Sequence, residues 1–270
     1  MKTKSALSYF GSDSEVAERL ASLLDKCKHV TIPFCGGMSI LPHLRARAVV
    51  ANDTNGNVIV FYHVMSGRYG EECRRETIDL CQRTLSHPVE MVVATEMLSD
   101  PQARVSLKAW AYWASCWIGR KGKGGTKNMG GLPSVRRKAD GGTNASRIQA
   151  AANDLEAWAE QFRRCEFECL DFDQILQKAA DHDDCGIYCD PPWFGAGDAY
   201  EQSFAPSDHV RLEATLGSFL QSRVVVRYGD CPEVRRLYSG APWTITEATA
   251  RTQANKQLGE VWITNFEVNN

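Results

Sequence analysis

Four consecutive residues, Asp190-Pro191-Pro192-Trp193, bring together a carboxylate, two backbone nitrogens without hydrogen and an indole. The apolar run Gly186-Ile187-Tyr188-Cys189 leads into them, and Phe194-Gly195-Ala196-Gly197-Asp198 follows. A buried-strand pattern that stops on an acid and two prolines makes a rigid loop at the strand's carboxyl end, because proline continues neither a ladder nor a helix. In open α/β sheets that edge is where ligands bind. A planar base with an exocyclic amine suits such a loop. Its two N–H hydrogens would go to Asp190 and the Pro191 carbonyl, and its ring would lie offset on Trp193. Acceptors placed this way leave the nitrogen lone pair able to attack an electrophile. An ordinary turn carrying a surface acid and a half-buried tryptophan fits the same four residues, so the rest of the chain must decide.

The elements that would position this loop read as alternating strands and helices. His29-Val30-Thr31-Ile32-Pro33-Phe34 has strand character, and Cys35-Gly36-Gly37-Met38-Ser39 is a tight turn that predicts a helix over residues 40–47. Strand, glycine turn and helix N-terminus form a cradle whose N–H groups face a ligand. The full G-x-G-x-x-G fingerprint is absent. That disfavours a dinucleotide pyrophosphate and an oxidoreductase of that type, and leaves a smaller ligand with a carboxylate or an adenosine. Ala48-Val49-Val50-Ala51-Asn52-Asp53 is a second strand ending on an acid. Asp53 stands where βαβ nucleotide sites place the acid that grips ribose hydroxyls, although it could equally cap the following helix. Glu166 to Phe172 alternates like a strand, and there Phe172 could cover an adenine ring while Asp171 meets its amino group, or the two could equally serve packing and capping. At the other end, Tyr9-Phe10-Gly11 precedes Ser12 and Asp13, which read as helix caps, and Gly11 allows a turn that brings the Tyr9 ring toward a ligand. Further strands are expected at Arg223 to Arg227 and Glu260 to Phe266.

Composition narrows the classes. The chain has 270 residues, 43% of them apolar, enough to bury a full core. No run is long and apolar enough for a membrane span, and the first residues lack a signal peptide's hydrophobic centre. Ten cysteines without export signals indicate reduced thiols in a cytoplasmic setting, and none is grouped with histidines as a zinc site would be, so no metal is expected. A formal charge of −2 gives no global attraction to nucleic acid.

Positive charge is nevertheless concentrated locally. Between Trp117 and Ala139 stand seven bases and no acid: Arg120, Lys121, Lys123, Lys127, Arg136, Arg137 and Lys138, interspersed with glycines. Such a segment suits a loop that grips a phosphate backbone, or else a solvated loop. Helices are expected around it over residues 72–85, 101–117 and 150–162. Trp110, Trp113 and Trp117 share one helical face, which favours core packing over base stacking.

Four motifs in this order, Tyr9-Phe10-Gly11-Ser12, Phe34-Cys35-Gly36-Gly37, Asn52-Asp53 and Asp190-Pro191-Pro192-Trp193, together resemble the Dam-like class of DNA adenine-N6 methyltransferases with motifs in the α arrangement. The tail Glu260-Val261-Trp262-Ile263-Thr264-Asn265 is similar to that family's last strand. The resemblance implies an α/β, Rossmann-like core at residues 1–66 and 162–270, with an inserted, mainly helical target-recognition region at 67–161. It implies S-adenosylmethionine (SAM) bound by Tyr9, Phe10, Gly11, Phe34, Cys35, Gly36, Gly37, Ser39 and Asp53, with Asp171, Phe172 and Asp190 beside it. It also implies Asp190, Pro191, Pro192 and Trp193 as the catalytic tetrad for a target adenine flipped out of double-stranded DNA. The sequence departs from the pattern in two places. Ser12 and Asp13 stand where the family often has a lysine, and Trp193 replaces the commoner tyrosine, which keeps an RNA-directed enzyme open; a non-catalytic binding module is a further alternative, although it would be expected to lose the tetrad that is intact here.

Overall fold

The computed structural model describes residues 4–9, 11, 14–119, 143–195, 204–251 and 257–268. Seven strands form one sheet in the order β3-β2-β1-β4-β5-β7-β6. They are β1 (His29–Ile32), β2 (Ala48–Asn52), β3 (Cys165–Glu168), β4 (Cys185–Cys189), β5 (Arg223–Gly229), β6 (Thr244–Arg251) and β7 (Gln257–Thr264). β1 runs parallel to both β2 and β4, and β4 parallel to β5, while β7 pairs antiparallel with β5 and β6. From β1 the chain steps outward to β2 and then β3, and crosses back to β4 on the other side of β1. That reversal puts a crevice outside the carboxyl ends of β1 and β4. The architecture is an α/β, Rossmann-like fold, as the sequence led one to expect.

The chain divides into two compact units. One comprises Asp13–Cys35, Ile40–Thr54 and Glu168–Asn270. Its core is built from Ile187 and Cys189 of β4, Val224, Val226 and Tyr228 of β5, and Val261 and Ile263 of β7, packed with Leu212 and Leu216 of a helix at Pro206–Leu216. These strands read as near-continuous apolar runs because both faces of a parallel sheet are covered. β6 and the short helix Pro232–Leu237 were not evident in the sequence.

The other unit comprises Met1–Ser12, Gly36–Ser39 and Asn55–Phe167. Its described helices are α2 (Gly56–Met65), α3 (Glu71–Arg83), α4 (Pro88–Ser99), α5 (Val105–Ile118), α6 (Asn144–Asn153) and α7 (Leu155–Phe162), after α1 (Ala17–Ser22) in the first unit. α5 is buried on every face from Ala109 to Ile118, and α2, α3, α4 and α6 pack on it. A helix apolar all round belongs at the centre of its layer. Trp110, Trp113 and Trp117 are 6%, 0% and 6% exposed, so the tryptophan face is core, as its spacing indicated. Among the described residues no helix is long and apolar enough to cross a membrane.

Three local expectations are corrected. Instead of a helix over residues 40–47 there is a single 3₁₀ turn, Leu41–His43, after which Leu44 turns to extended backbone at ψ 132. Its N-terminal N–H groups are therefore those of one short turn, not of an α-helix. The helix over 150–162 is two helices, broken where Asp154 ends α6 and opens α7. α1 starts at Ala17 with Val16 at its N-cap and no side-chain cap; Ser12 and Asp13 lie outside the described residues.

Candidate active site

The tetrad follows β4 directly, at the carboxyl end of the sheet. Asp190 is 18% exposed and accepts a hydrogen bond at Oδ2 from Arg227 Nη1, at 2.9 Å. The indole Nε1 of Trp193 donates to Asp190 Oδ1 over a long 3.4 Å. Trp193 lies against Gly229, where a Cβ would stand 2.5 Å from the ring. Only glycine at the end of β5 lets the indole take that position. The next residue, Phe194, stacks on His209 with centroids 3.6 Å apart, and His209 Nδ1 is 2.8 Å from the Tyr228 hydroxyl. Burial holds the His209 imidazole neutral, its pKa lowered to about 4 despite the opposing pull of Asp208.

Arg227 is the residue that sequence reasoning passed over. It sits mid-strand in β5, between Val226 and Tyr228, with its side chain 6% exposed. Nε and Nη2 both donate to Glu260 Oε2, at 3.0 and 2.8 Å, and Glu260 is fully enclosed. Glu260 Oε1 in turn accepts from Trp262 Nε1 at 2.6 Å. Burial disfavours the guanidinium's charge, but Asp190, Tyr188 and Glu260 outweigh it and raise its pKa above the ordinary arginine value. The signal in the sequence was an arginine inside an otherwise apolar strand, since charge that deep is almost always paired.

In the same unit, the carboxyl ends of β1, β2 and β3 are tied by one buried amide. Asn52 Nδ2 donates to the carbonyls of Pro33 (3.0 Å) and Leu170 (2.9 Å), and its Oδ1 accepts from the Leu170 N–H at 2.9 Å. This fixes Phe34, Asp53 and Asp171, each a residue or two away. Cys35 N–H donates to the Asn52 carbonyl at 2.8 Å, and the Cys35 side chain is buried. The cap of α2 is Asn55, which accepts from Asn57 N–H, so Asp53 does not serve as that helix's cap. Asp171 caps the helix Phe172–Lys178 and takes both ends of the Arg211 fork at 3.1 Å. Phe172 is 3% exposed, beneath the Arg211 guanidinium and grouped with Phe34 and Phe204 at centroid distances of 5.6 to 5.7 Å.

In the other unit, Gly36 has φ +43 and a Cβ there would meet the Tyr9 ring at 3.1 Å; one on Gly37 would meet the Leu7 carbonyl at 2.8 Å. Both glycines are thus demanded by close approach of the N-terminal motif. The Gly36 carbonyl accepts from the Tyr62 hydroxyl at 2.6 Å, and Ser39 is buried. Gly11 has φ +74, a turn conformation that glycine adopts without strain. Phe10 and all seven basic residues from Arg120 to Lys138 lie outside the described residues.

Phe34 follows β1, Asp53 follows β2 and Asp171-Phe172 follow β3, so acids and aromatic rings stand at strand ends that Asn52 ties together. No curated protein matches the chain. A family model described as D12 class N6 adenine-specific DNA methyltransferase matches residues 138–253, a span that includes Asp171, the Asp190-Pro191-Pro192-Trp193 tetrad and Arg227. Over that span the match supports a SAM-dependent DNA adenine-N6 methyltransferase of the D12, Dam-like class.

Proposed function

We propose that the enzyme acts on an adenine turned out of double-stranded DNA, and that Asp190, Pro191, Pro192 and Trp193 receive it. The observation that supports this most is Asp190 itself, a carboxylate pinned at one oxygen by a buried arginine and flanked by an indole fixed against Gly229. Asp190 and the Pro191 carbonyl hold the two N6 hydrogens, Pro192 stiffens the turn, and Trp193 carries the ring. Held so, the amine keeps its lone pair directed out of the hydrogen-bonded plane. Bound SAM supplies an electrophilic methyl group on a sulfonium. Positioning and charge placement make up most of the catalytic effect, because the protein contributes no covalent bond of its own. Extruding the base costs a few kcal/mol, which stacking and phosphate contacts offset.

For the cofactor, we assign Phe34, Asp53, Asp171 and Phe172 to SAM, with Asp190 beside it; Tyr9, Phe10, Gly11, Gly36, Gly37 and Ser39 are assigned to it on the family resemblance alone, with Cys35 shaping the turn. Asp53 suits the ribose hydroxyls and Phe34 the adenine face. We assign residues 67–161 to target recognition, and Arg120, Lys121, Lys123, Lys127, Arg136, Arg137 and Lys138 to the DNA backbone, in a protein acting in the cytoplasm. The test is incubation with labelled SAM and duplex DNA, single-stranded DNA or RNA, followed by digestion to nucleosides. N6-methyladenine arising preferentially in duplex DNA is expected; equal or greater label in RNA would overturn the duplex reading.

A further inference from the structure

We propose that Glu260 and Arg227 act as a buried positioning couple that sets the aim and the charge of Asp190. The inference rests on the reading of Asp190 as the group that holds the target amine. The guanidinium fork is divided between two carboxylates: Nε and Nη2 serve Glu260, and Nη1 serves Asp190. Exposure rises along the row, from 0% at Glu260 through 6% at Arg227 to 18% at Asp190, so only its last member reaches the sheet edge. Antiparallel pairing builds the row, since β5 and β7 place Arg227 opposite Trp262 and Gly229 opposite Glu260. Trp262 closes the inner end by donating to Glu260.

The same guanidinium carbon lies 5.0 Å from the centroid of the Trp193 ring. One cation therefore touches both the carboxylate and the aromatic member of the tetrad. A buried ion pair is a poor way to stabilise a strand, because apolar residues of similar volume do as well or better. Its value here is directional. Two carboxylates on one cation give the row a formal net charge of −1, and the bond from Arg227 holds the Asp190 carboxyl plane. Glu260 takes part of the guanidinium's charge that would otherwise fall on Asp190 alone. Arg227 and Glu260 act through Asp190 and do not touch the substrate.

The test measures methyl transfer from labelled SAM to unmethylated genomic DNA, with kcat and the KM for SAM determined separately. Glu260→Gln keeps the shape and an acceptor for Trp262 but removes the charge. We expect kcat to fall roughly 10- to 100-fold while the KM for SAM stays within about threefold. The double variant Arg227→Met with Glu260→Gln removes both charges at the two buried positions and takes the cation away from Asp190, which stands nearer the surface. It should melt no lower than wild type and bind SAM as wild type does, yet lose kcat at least as far. Arg227→Lys, which keeps a cation without the fork, should recover part of the kcat that the double variant loses. A folded double variant with kcat within about threefold of wild type overturns the proposal, as does a loss confined to KM. Should the Gln variants not fold, Arg227→Lys decides by the same criterion, full kcat counting against the couple. Asp190→Asn in the same assay separates the two levels: if it stays active, the reading of Asp190 fails, whereas an inactive Asp190→Asn beside a fully active double variant sinks only the couple.

Discussion

Gly229 and Trp193 stand so close that no other residue fits at the end of β5: a Cβ on Gly229 would lie 2.5 Å from one indole carbon and 3.0 Å from the next. The contact passes through a rigid aromatic ring, so relief requires the ring to move. Gly229→Ala should therefore displace Trp193 while leaving the sheet intact, and methyl transfer should fall roughly 10²-fold, the scale of a misplacement of about 1 Å in a reacting group. Steady-state kinetics beside a melting curve checks this; full activity would mean that the indole does not carry the base.

Asp190→Ala removes the carboxylate at the sheet edge and leaves Arg227 paired with Glu260. Methyl transfer should be lost, and SAM should still bind in calorimetry with affinity near that of wild type. A variant that retains most of its activity would remove Asp190 from the reaction.

Asn52 satisfies two carbonyls and one N–H at the ends of three strands. Asn52→Ala leaves those buried groups without partners, at about 1–3 kcal/mol each before any relaxation. A marked drop in melting temperature and weaker SAM binding should appear together, because Phe34, Asp53 and Asp171 hang from the same amide. Unchanged affinity in a destabilised protein would separate Asn52 from the cofactor loops.

The His209 imidazole, enclosed under Phe194 and bonded to Tyr228, titrates at about 4 in the folded protein against an ordinary 6.5. Between those values the unfolded chain binds a proton that the native state does not, so stability falls as pH is lowered through that window, by up to about 1.4 kcal/mol per pH unit. Below about 4 both states are protonated and this contribution levels off. His209→Gln, which keeps a polar partner for Tyr228, should flatten the fall of melting temperature between neutral pH and pH 5. An equally steep fall would place the acid sensitivity elsewhere.

If Arg120, Lys121, Arg136 and Arg137 bind phosphates, neutralising them should weaken DNA binding and reduce the slope of log K against log salt by about 0.9 for each phosphate that no longer has a cation beside it. Binding titrations at several salt concentrations measure that slope, and an unchanged slope would take the segment out of the interface.

The sequence by itself determined the strands that stop on acids and the Asp190-Pro191-Pro192-Trp193 tetrad. The strands were legible because parallel strands buried on both faces must be apolar throughout, and the tetrad because two prolines after an apolar run forbid any continuation. The tryptophans of α5 were legible as core for a similar reason, since spacing on one face is a local property. The residues around the glycine turn were harder to read. Pattern alone suggested a helix over 40–47, but the chain makes one 3₁₀ turn and leaves it at Leu44. What only the tertiary structure decided is the company that Asp190 keeps. Arg227 is 37 residues away and Glu260 a further 33, and their meeting depends on β7 entering the sheet antiparallel beside β5. No periodicity encodes that register, because it is set by which strand finds which neighbour. A buried charge in a strand announces that a partner exists, and only the folded sheet says which.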